Sequence, residues 1–202
     1  DHIVLVGDQT AVEAELSQVG APAPSNVSVV HASQTVGMAE KPVEAIRGKP
    51  DSSILRCIRM VGAGEADAAI SAGNTGAMVA AATLCLKQLA GVRRAGIAVN
   101  MPSTNGACTL VDVGANLNCK PAHLCQYGIM GALYHAALFD CNQPRVGVLN
   151  VGEEDSKGGD LVKEAAALLA KAPIQFGGNA EGRDIFNGAF QVIVTHPMWS
   201  RH

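Results

Sequence analysis

Ala69-Ile70-Ser71-Ala72-Gly73-Asn74-Thr75-Gly76-Ala77 decides the reading of this chain, because an apolar strand over Ala68 to Ser71 runs through a small, glycine-bearing turn into a helix. Gly73 and Gly76 lack the Cβ atoms that would hold a ligand off the backbone. Ser71, Asn74 and Thr75 add side-chain donors where the helix presents unpaired N–H groups and its positive dipole end. The guest such a cradle suits is an anion. Ser, Asn and Thr are also ordinary helix caps and Gly an ordinary turn residue, so this stretch by itself leaves both readings open.

Two further units tip the balance. Thr109-Leu110-Val111-Asp112 leads into Val113-Gly114-Ala115-Asn116, and Val146-Gly147-Val148-Leu149-Asn150 leads into Val151-Gly152-Glu153-Glu154. Each is an apolar strand ending in a polar residue, then glycine, then a helical segment. In a parallel sheet such turns emerge together at the carboxyl edge, where open α/β folds bind ligands. Three of them favour one shared site.

Composition agrees with an α/β class. The 202 residues are 48% hydrophobic but 3% aromatic, with 22 glycines, so the core is aliphatic and the turns tight. That length suits one α/β domain over residues 1–202. A net charge of -3 without a Lys/Arg run argues against a nucleic-acid partner. Six cysteines with no CxxC pair read as reduced core thiols of a cytoplasmic protein. Neither a signal peptide nor an apolar run of about 20 residues is visible. His31, His123 and His135 have no cysteine or carboxylate at ligand spacing, so no metal is expected, and no other cofactor is called for. His123 is expected to face solvent.

Along the chain, strands and helices alternate. Strands are expected at Ile3–Val6, Val27–His31, Ala68–Ser71, Ile97–Met101, Cys108–Val113, Val146–Asn150, Ile174–Phe176 and Val192–Thr195. Thr10 reads as the cap of a helix carrying Val12 and Leu16. Ser52-Ser53 start a helix ending near Gly62-Ala63-Gly64, Thr75 one reaching about Leu89, Pro121 one reaching Phe139, and Asp160 one reaching Ala170. Asn105-Gly106 signals a hairpin. The polar segment 32–51 is expected to be mobile, with Pro42 able to open a short helix through Ile46. Helical crossovers between strands imply a largely parallel sheet.

At these residues a resemblance enters. Ser71 to Ala77, Leu110 to Asn116, Gln126-Tyr127-Gly128-Ile129-Met130-Gly131 and Val148 to Glu154 closely resemble the bacterial phosphate acyltransferase family of phospholipid synthesis, the PlsX family, as do Leu5-Val6-Gly7-Asp8 and Gly178 to Asp184. The match is colinear over almost the whole chain. It implies transfer of a fatty acyl group from acyl carrier protein to inorganic phosphate, giving acyl phosphate. It also implies a three-layer fold of the isocitrate/isopropylmalate dehydrogenase type, a homodimer, and peripheral association with a membrane.

On the family pattern Lys157 is the catalytic lysine, and Asn150 and Asp112 stand with it. Asp112 resembles a catalytic carboxylate, whereas its own chemistry reads as orienting Lys157 or capping the turn. Ser71, Gly73, Asn74, Thr75, Gly76, Gly114, Asn116, Gly152 and Glu153 are the expected phosphate and substrate contacts, and Asn118 is a further donor. Met78, Leu86, Ile129, Met130 and Leu133 are candidates for an acyl groove. Lys87, Arg93 and Arg94, then Arg47, Lys49, Arg56 and Arg59, are candidates for meeting an acidic carrier protein. The small residues of the Pro121 helix suit either a subunit contact or a core position. Two family motifs, an Asp-Ala-Met-Gly-Gly-Asp opening and an Asp-Gly-Phe-x-Gly-Asn run, have no counterpart here, and 196–202 is an atypical tail. Residues 1–202 therefore read as an incomplete piece of a longer enzyme, a poor catalyst alone. The competing readings are a non-catalytic phosphate-binding remnant and a nucleotide-dependent oxidoreductase, the latter opposed by the missing GxGxxG fingerprint.

Overall fold

The computed structural model describes residues 1–19, 24–116, 118–152 and 159–196. It divides into two compact units, Asp1–Ala90 and Gly91–His202.

In the first unit, β1 (Ile3–Gly7) pairs in parallel with β2 (Val27–His31) across α1 (Gln9–Val19). The cap of α1 is Asp8 rather than Thr10: its Oδ1 accepts the Ala11 N–H at 2.9 Å. Three helices follow, α2 (Pro42–Gly48), α3 (Ser53–Ala63) and α4 (Thr75–Cys85). Helix α3 keeps both expected ends, with Ser52 at its start and Gly64 in the left-handed region (φ +74°) at its close. Ile54, Leu55 and Ile58 of α3 pack with Ala45, Ile46, Ala77 and Ala81 into an aliphatic core.

Three further expectations fail in this unit, each for a physical reason. Residues 68–71 are not a strand: no strand among the described residues pairs with them, and Ile70 is 94% exposed. An apolar quartet becomes a strand only when a neighbouring edge takes its N–H and C=O groups. Helix α4 stops at Cys85, not Leu89, because its core contacts run through Ala77, Ala81 and half-buried Cys85, and every residue from 86 to 90 is exposed. Leu86 and Leu89 are exposed, and Lys87 reverses the chain at φ +63°. Segment 32–51 is not a loose connector either. Ala32, Val36, Ala45 and Ile46 are buried, and Asp51 accepts from the Ser33 N–H and hydroxyl and from Arg56. Those bonds, the Ser33 hydroxyl's foremost, hold the Asp51 carboxyl well below the usual carboxylate range.

The second unit carries a five-stranded sheet in the order β3 (Ala98–Ser103), β4 (Gly106–Val111), β7 (Val192–Val194), β5 (Arg145–Leu149), β6 (Gln175–Ala180). Only the β3–β4 hairpin is antiparallel; β4–β7, β7–β5 and β5–β6 are parallel. Gly106 makes the hairpin turn at φ +109°. Helices α5 (Pro121–Phe139) and α6 (Asp160–Leu169) are the crossovers, and α7 (Asp184–Asn187) precedes β7.

Alternation along the strands sorts the core. Val111, Val146, Val148, Val192 and Val194 pack with Leu124, Tyr127 and Ala132 of α5 and Val162, Ala165 and Leu169 of α6. Cys108, Leu110, Leu149 and Ile193 pack with Ile185 and Phe190 instead. The fold is thus α/β, with a mostly parallel sheet and helical crossovers. The glycines of α5 serve its own core. A Cβ on Gly128 would lie 2.5 Å from Leu169 Cδ2, and one on Gly131 would lie 2.8 Å from Val192 Cγ1.

His123, expected at the surface, is buried. Its Nδ1 accepts the Lys120 N–H at 3.1 Å, so the ring folds back over the start of α5. Burial first, then the charges of Arg94, Lys120 and Arg93, lower its pKa. All six cysteines are free thiols, but only Cys108 is fully buried; burial pushes its pKa up to about 12. No helix among the described residues is long and apolar enough to cross a membrane.

Candidate anion site

In the first unit the 71–76 turn is held by its own side chains. Ser71 Oγ accepts the Gly73 N–H at 3.1 Å. Asn74 caps α4, its Oδ1 accepting the Ala77 N–H at 3.0 Å. Its Nδ2 donates to the carbonyls of Gly37, Met38 and Glu40 at 3.1–3.3 Å. The residue is 6% exposed, so this amide is committed to the protein. Gly76 is required by packing: a Cβ there would lie 2.5 Å from Pro42 Cγ, where α2 and α4 approach. Gly73 is less tight, 3.3 Å from Ser71 Oγ, and Thr75 is exposed on the first turn.

In the second unit β4, β7, β5 and β6 are parallel, so Asp112, Thr195, Asn150 and Glu181 stand at one sheet edge. Asp112 is 5% exposed and holds its turn together. Its Oδ1 accepts from the N–H groups of Ile97 (2.9 Å) and Ala115 (3.1 Å). Its Oδ2 accepts from the Asn116 N–H (2.9 Å) and Nδ2 (2.8 Å). Four donors on one carboxylate make Asp112 the anchor of the turn.

Asn116 extends the net. Its Nδ2 also donates to the Ala95 carbonyl at 2.7 Å, and its Oδ1 accepts from Arg94 Nη1 at 3.4 Å. Gly114, exposed at the tip, has φ +113°, a conformation adopted at little cost only by glycine. Asn118 is exposed. Thr195 ties the neighbouring strand in, donating its hydroxyl to the Asp112 carbonyl (2.5 Å) and its N–H to that of Val111 (2.7 Å). Asn150 donates its N–H to the Ala180 carbonyl and accepts the Val151 N–H on Oδ1, both at 2.8 Å. Gly152 is buried. Lys157 and Glu153 lie outside the described residues.

Sequence reasoning missed Thr195 and His196. Thr195 reads as the last residue of a strand, and only the β4–β7 pairing reveals it as a brace for Asp112. His196 follows it at the same edge, its ring bonded to the Leu149 carbonyl; burial lowers its pKa and that bond opposes the shift. Its Nδ1 has no partner among the described residues. The signal that could have found both was their place directly after a strand parallel to the other two motif strands.

The amino ends of α5 and α6 lie at this edge and bring their positive dipole ends to it. Arg94 supplies a guanidinium bonded to Asn116 at the same turn. Several other basic residues are engaged within their own unit: Lys49 with Glu40, Arg56 with Asp51, and Arg59 with the Pro50 carbonyl. Of the acyl-groove candidates, Met78 packs on the first unit's core and Met130 on the second's, while Leu86 is exposed.

A phosphate acyltransferase from Chromobacterium violaceum is 45% identical over 193 residues, covering 96% of this chain and 56% of that protein. One from Pelotomaculum thermopropionicum is 46% identical with the same coverage. The chain therefore spans about 56% of the length of these curated relatives. The solved EutD phosphotransacetylase from Staphylococcus aureus superposes with a TM-score of 0.63 at 18% identity, over 96% of this chain and 69% of that one. That likeness concerns the fold. The model of the fatty acid synthesis protein family matches residues 1–199, and the chain belongs to that family.

Proposed function

We propose that the protein moves a fatty acyl group from the thioester of acyl carrier protein to inorganic phosphate, releasing acyl phosphate and the free carrier thiol. The observation that carries this reading is the 45–46% identity, over 96% of the chain, to proteins named phosphate acyltransferase. The donor-lined sheet edge of the second unit supports it.

The chemistry asks little acid–base help. A phosphate oxygen attacks the thioester carbonyl, the C–S bond breaks, and a thiolate leaves whose conjugate acid has a pKa near ~8.5. The protein must hold phosphate in line with the carbonyl and stabilise the oxyanion that develops. In this reading Gly114, Gly152 and Glu153 shape the phosphate pocket with Asn116 and Asn150, and Lys157 supplies the compact cation. Asp112 acts through the turn it anchors. Ser71, Gly73 and Thr75 are the anion contacts of the turn at the start of α4, which Asn74 holds as its cap and Gly76 by its close approach to Pro42. The fold assigned is the isocitrate dehydrogenase type in a cytoplasmic homodimer with peripheral membrane contact.

The test replaces Lys157 by alanine and by arginine. Alanine should cut acyl phosphate formation by orders of magnitude. Arginine should rescue poorly, because a planar fork does not reproduce an ammonium. Near-normal turnover in the alanine variant would remove Lys157 from the mechanism.

A further inference from the structure

The second unit carries a groove of about 620 Å³ at the sheet edge opposite the one just described. Ile129, Ala132, Leu133 and Ala136 of α5 form one wall, and Pro144 and Ile174, at the starts of β5 and β6, form another. Among the described residues lining it none is charged. Leu133 stands 67% exposed over it. We propose that this groove binds the distal part of a long, unbranched acyl chain and so selects chain length; the proposal rests on the acyl-transfer reading.

Three observations choose this occupant. The volume lies in the range of small-molecule sites, and a concave slot of this size suits a single chain rather than the roughly 800 Å² per partner of a protein contact. Polarity gives the direction. Helices α5 and α6 both end beside the groove, so an anionic head would meet the negative dipole ends there. A hydrocarbon end meets Ile129, Leu133, Pro144 and Ile174, with Asn142, Gln143 and Gln175 as uncharged polar neighbours.

Position supplies the third. Helix α5 starts just after the turn of Asp112 and Asn116. At about 1.5 Å per residue, Ile129 lies roughly 12 Å and Ala136 roughly 22 Å along the axis from Pro121. A chain whose head sits at the donor-lined edge reaches the groove only if it is long. A butyryl group would never touch Leu133.

The experiment measures calorimetric binding of palmitate and butyrate to the protein and to L133D, with thermal melting as the control for folding. The substitution adds a charge at an exposed position, so the melting temperature should hold. Palmitate affinity should fall at least tenfold, narrowing the preference for palmitate over butyrate. Photolabelling with palmitate bearing a diazirine at its tail should mark peptides containing 129–136 and 172–175. Labelling confined to other peptides, or unchanged palmitate affinity in L133D, overturns the groove. Phosphate-dependent thioester loss by the unaltered protein tests the acyl-transfer reading separately. Its absence alongside groove labelling would remove that reading and leave the binding site standing, while its presence alongside labelling elsewhere would do the reverse.

Discussion

The 71–76 turn and the 112–116 turn look alike in sequence and are built differently. Each has a glycine, an asparagine and a following helix. In the first, Asn74 spends its amide on three carbonyls of residues 37–40, and Gly76 is glycine because Pro42 lies where a Cβ would go. In the second, Asp112 follows a strand paired on both sides, and Gly114 is held at positive φ at the exposed tip. The difference teaches that a glycine-bearing turn gains its meaning from the strand beneath it. Where a sheet fixes the turn, its tip is left to face solvent and ligand. Where no sheet does, side chains are drawn into holding the turn.

The sharpest break of this comparison is Asp112→Ala. It strands four donors, three of them backbone N–H groups, and should destabilise the second unit by about 4 kcal/mol in chemical denaturation. A loss under about 1 kcal/mol would show that the turn does not depend on this carboxylate. In the first unit Gly76→Val should cost about 2–3 kcal/mol by overpacking against Pro42. Pairing the milder Gly76→Ala with Pro42→Ala should recover most of its cost, a coupling of about 1 kcal/mol in a double-mutant cycle. Strict additivity would show that the Pro42 contact is not what requires glycine. Asn74→Ala should cost about 2 kcal/mol, as lost cap and lost tether together. Unchanged stability would mean that residues 37–40 are held by other means.

Sequence reading succeeded where a signal is local. Pro121 at the first helical turn gave the start of α5, Asn105-Gly106 gave the hairpin, and Ser52 and Gly64 bracketed α3. It failed where the outcome depends on what lies alongside. Ile70 lacks a strand neighbour, Leu86 stays 41% exposed beyond the end of α4, and segment 32–51 looks polar because its tethers, Ser33, Glu40, Lys49 and Asp51, are themselves polar. At the candidate site Asp112 was legible as a turn-capping carboxylate, since an acid after an apolar strand and before Gly is a common turn closure. Thr195 was not, because its role comes from a strand pairing across more than eighty residues.

The smallest expected effect concerns pH. Among the described residues, the histidines whose pKa is lowered, His123, His135 and His196, all lie in the second unit, with burial as the leading cause. His135 is 2% exposed, bonded through Nδ1 to the Thr109 hydroxyl at 2.9 Å and packed against the tilted ring of Phe139. A histidine with a folded pKa below its unfolded value binds fewer protons when folded. Stability is therefore fully present above about pH 6.5 and falls as pH drops from there toward the folded pKa. Replacing His135 by Gln should flatten that fall in denaturation midpoints followed across pH. An unchanged slope would assign the acid sensitivity to the other two histidines.

The most direct test of the function is to incubate the protein with palmitoyl-acyl carrier protein, with and without inorganic phosphate, following thiol release and phosphorus NMR together. The account predicts thiol release that requires phosphate and is matched by acyl phosphate. Thiol release indifferent to phosphate, or none that yields acyl phosphate, would contradict it.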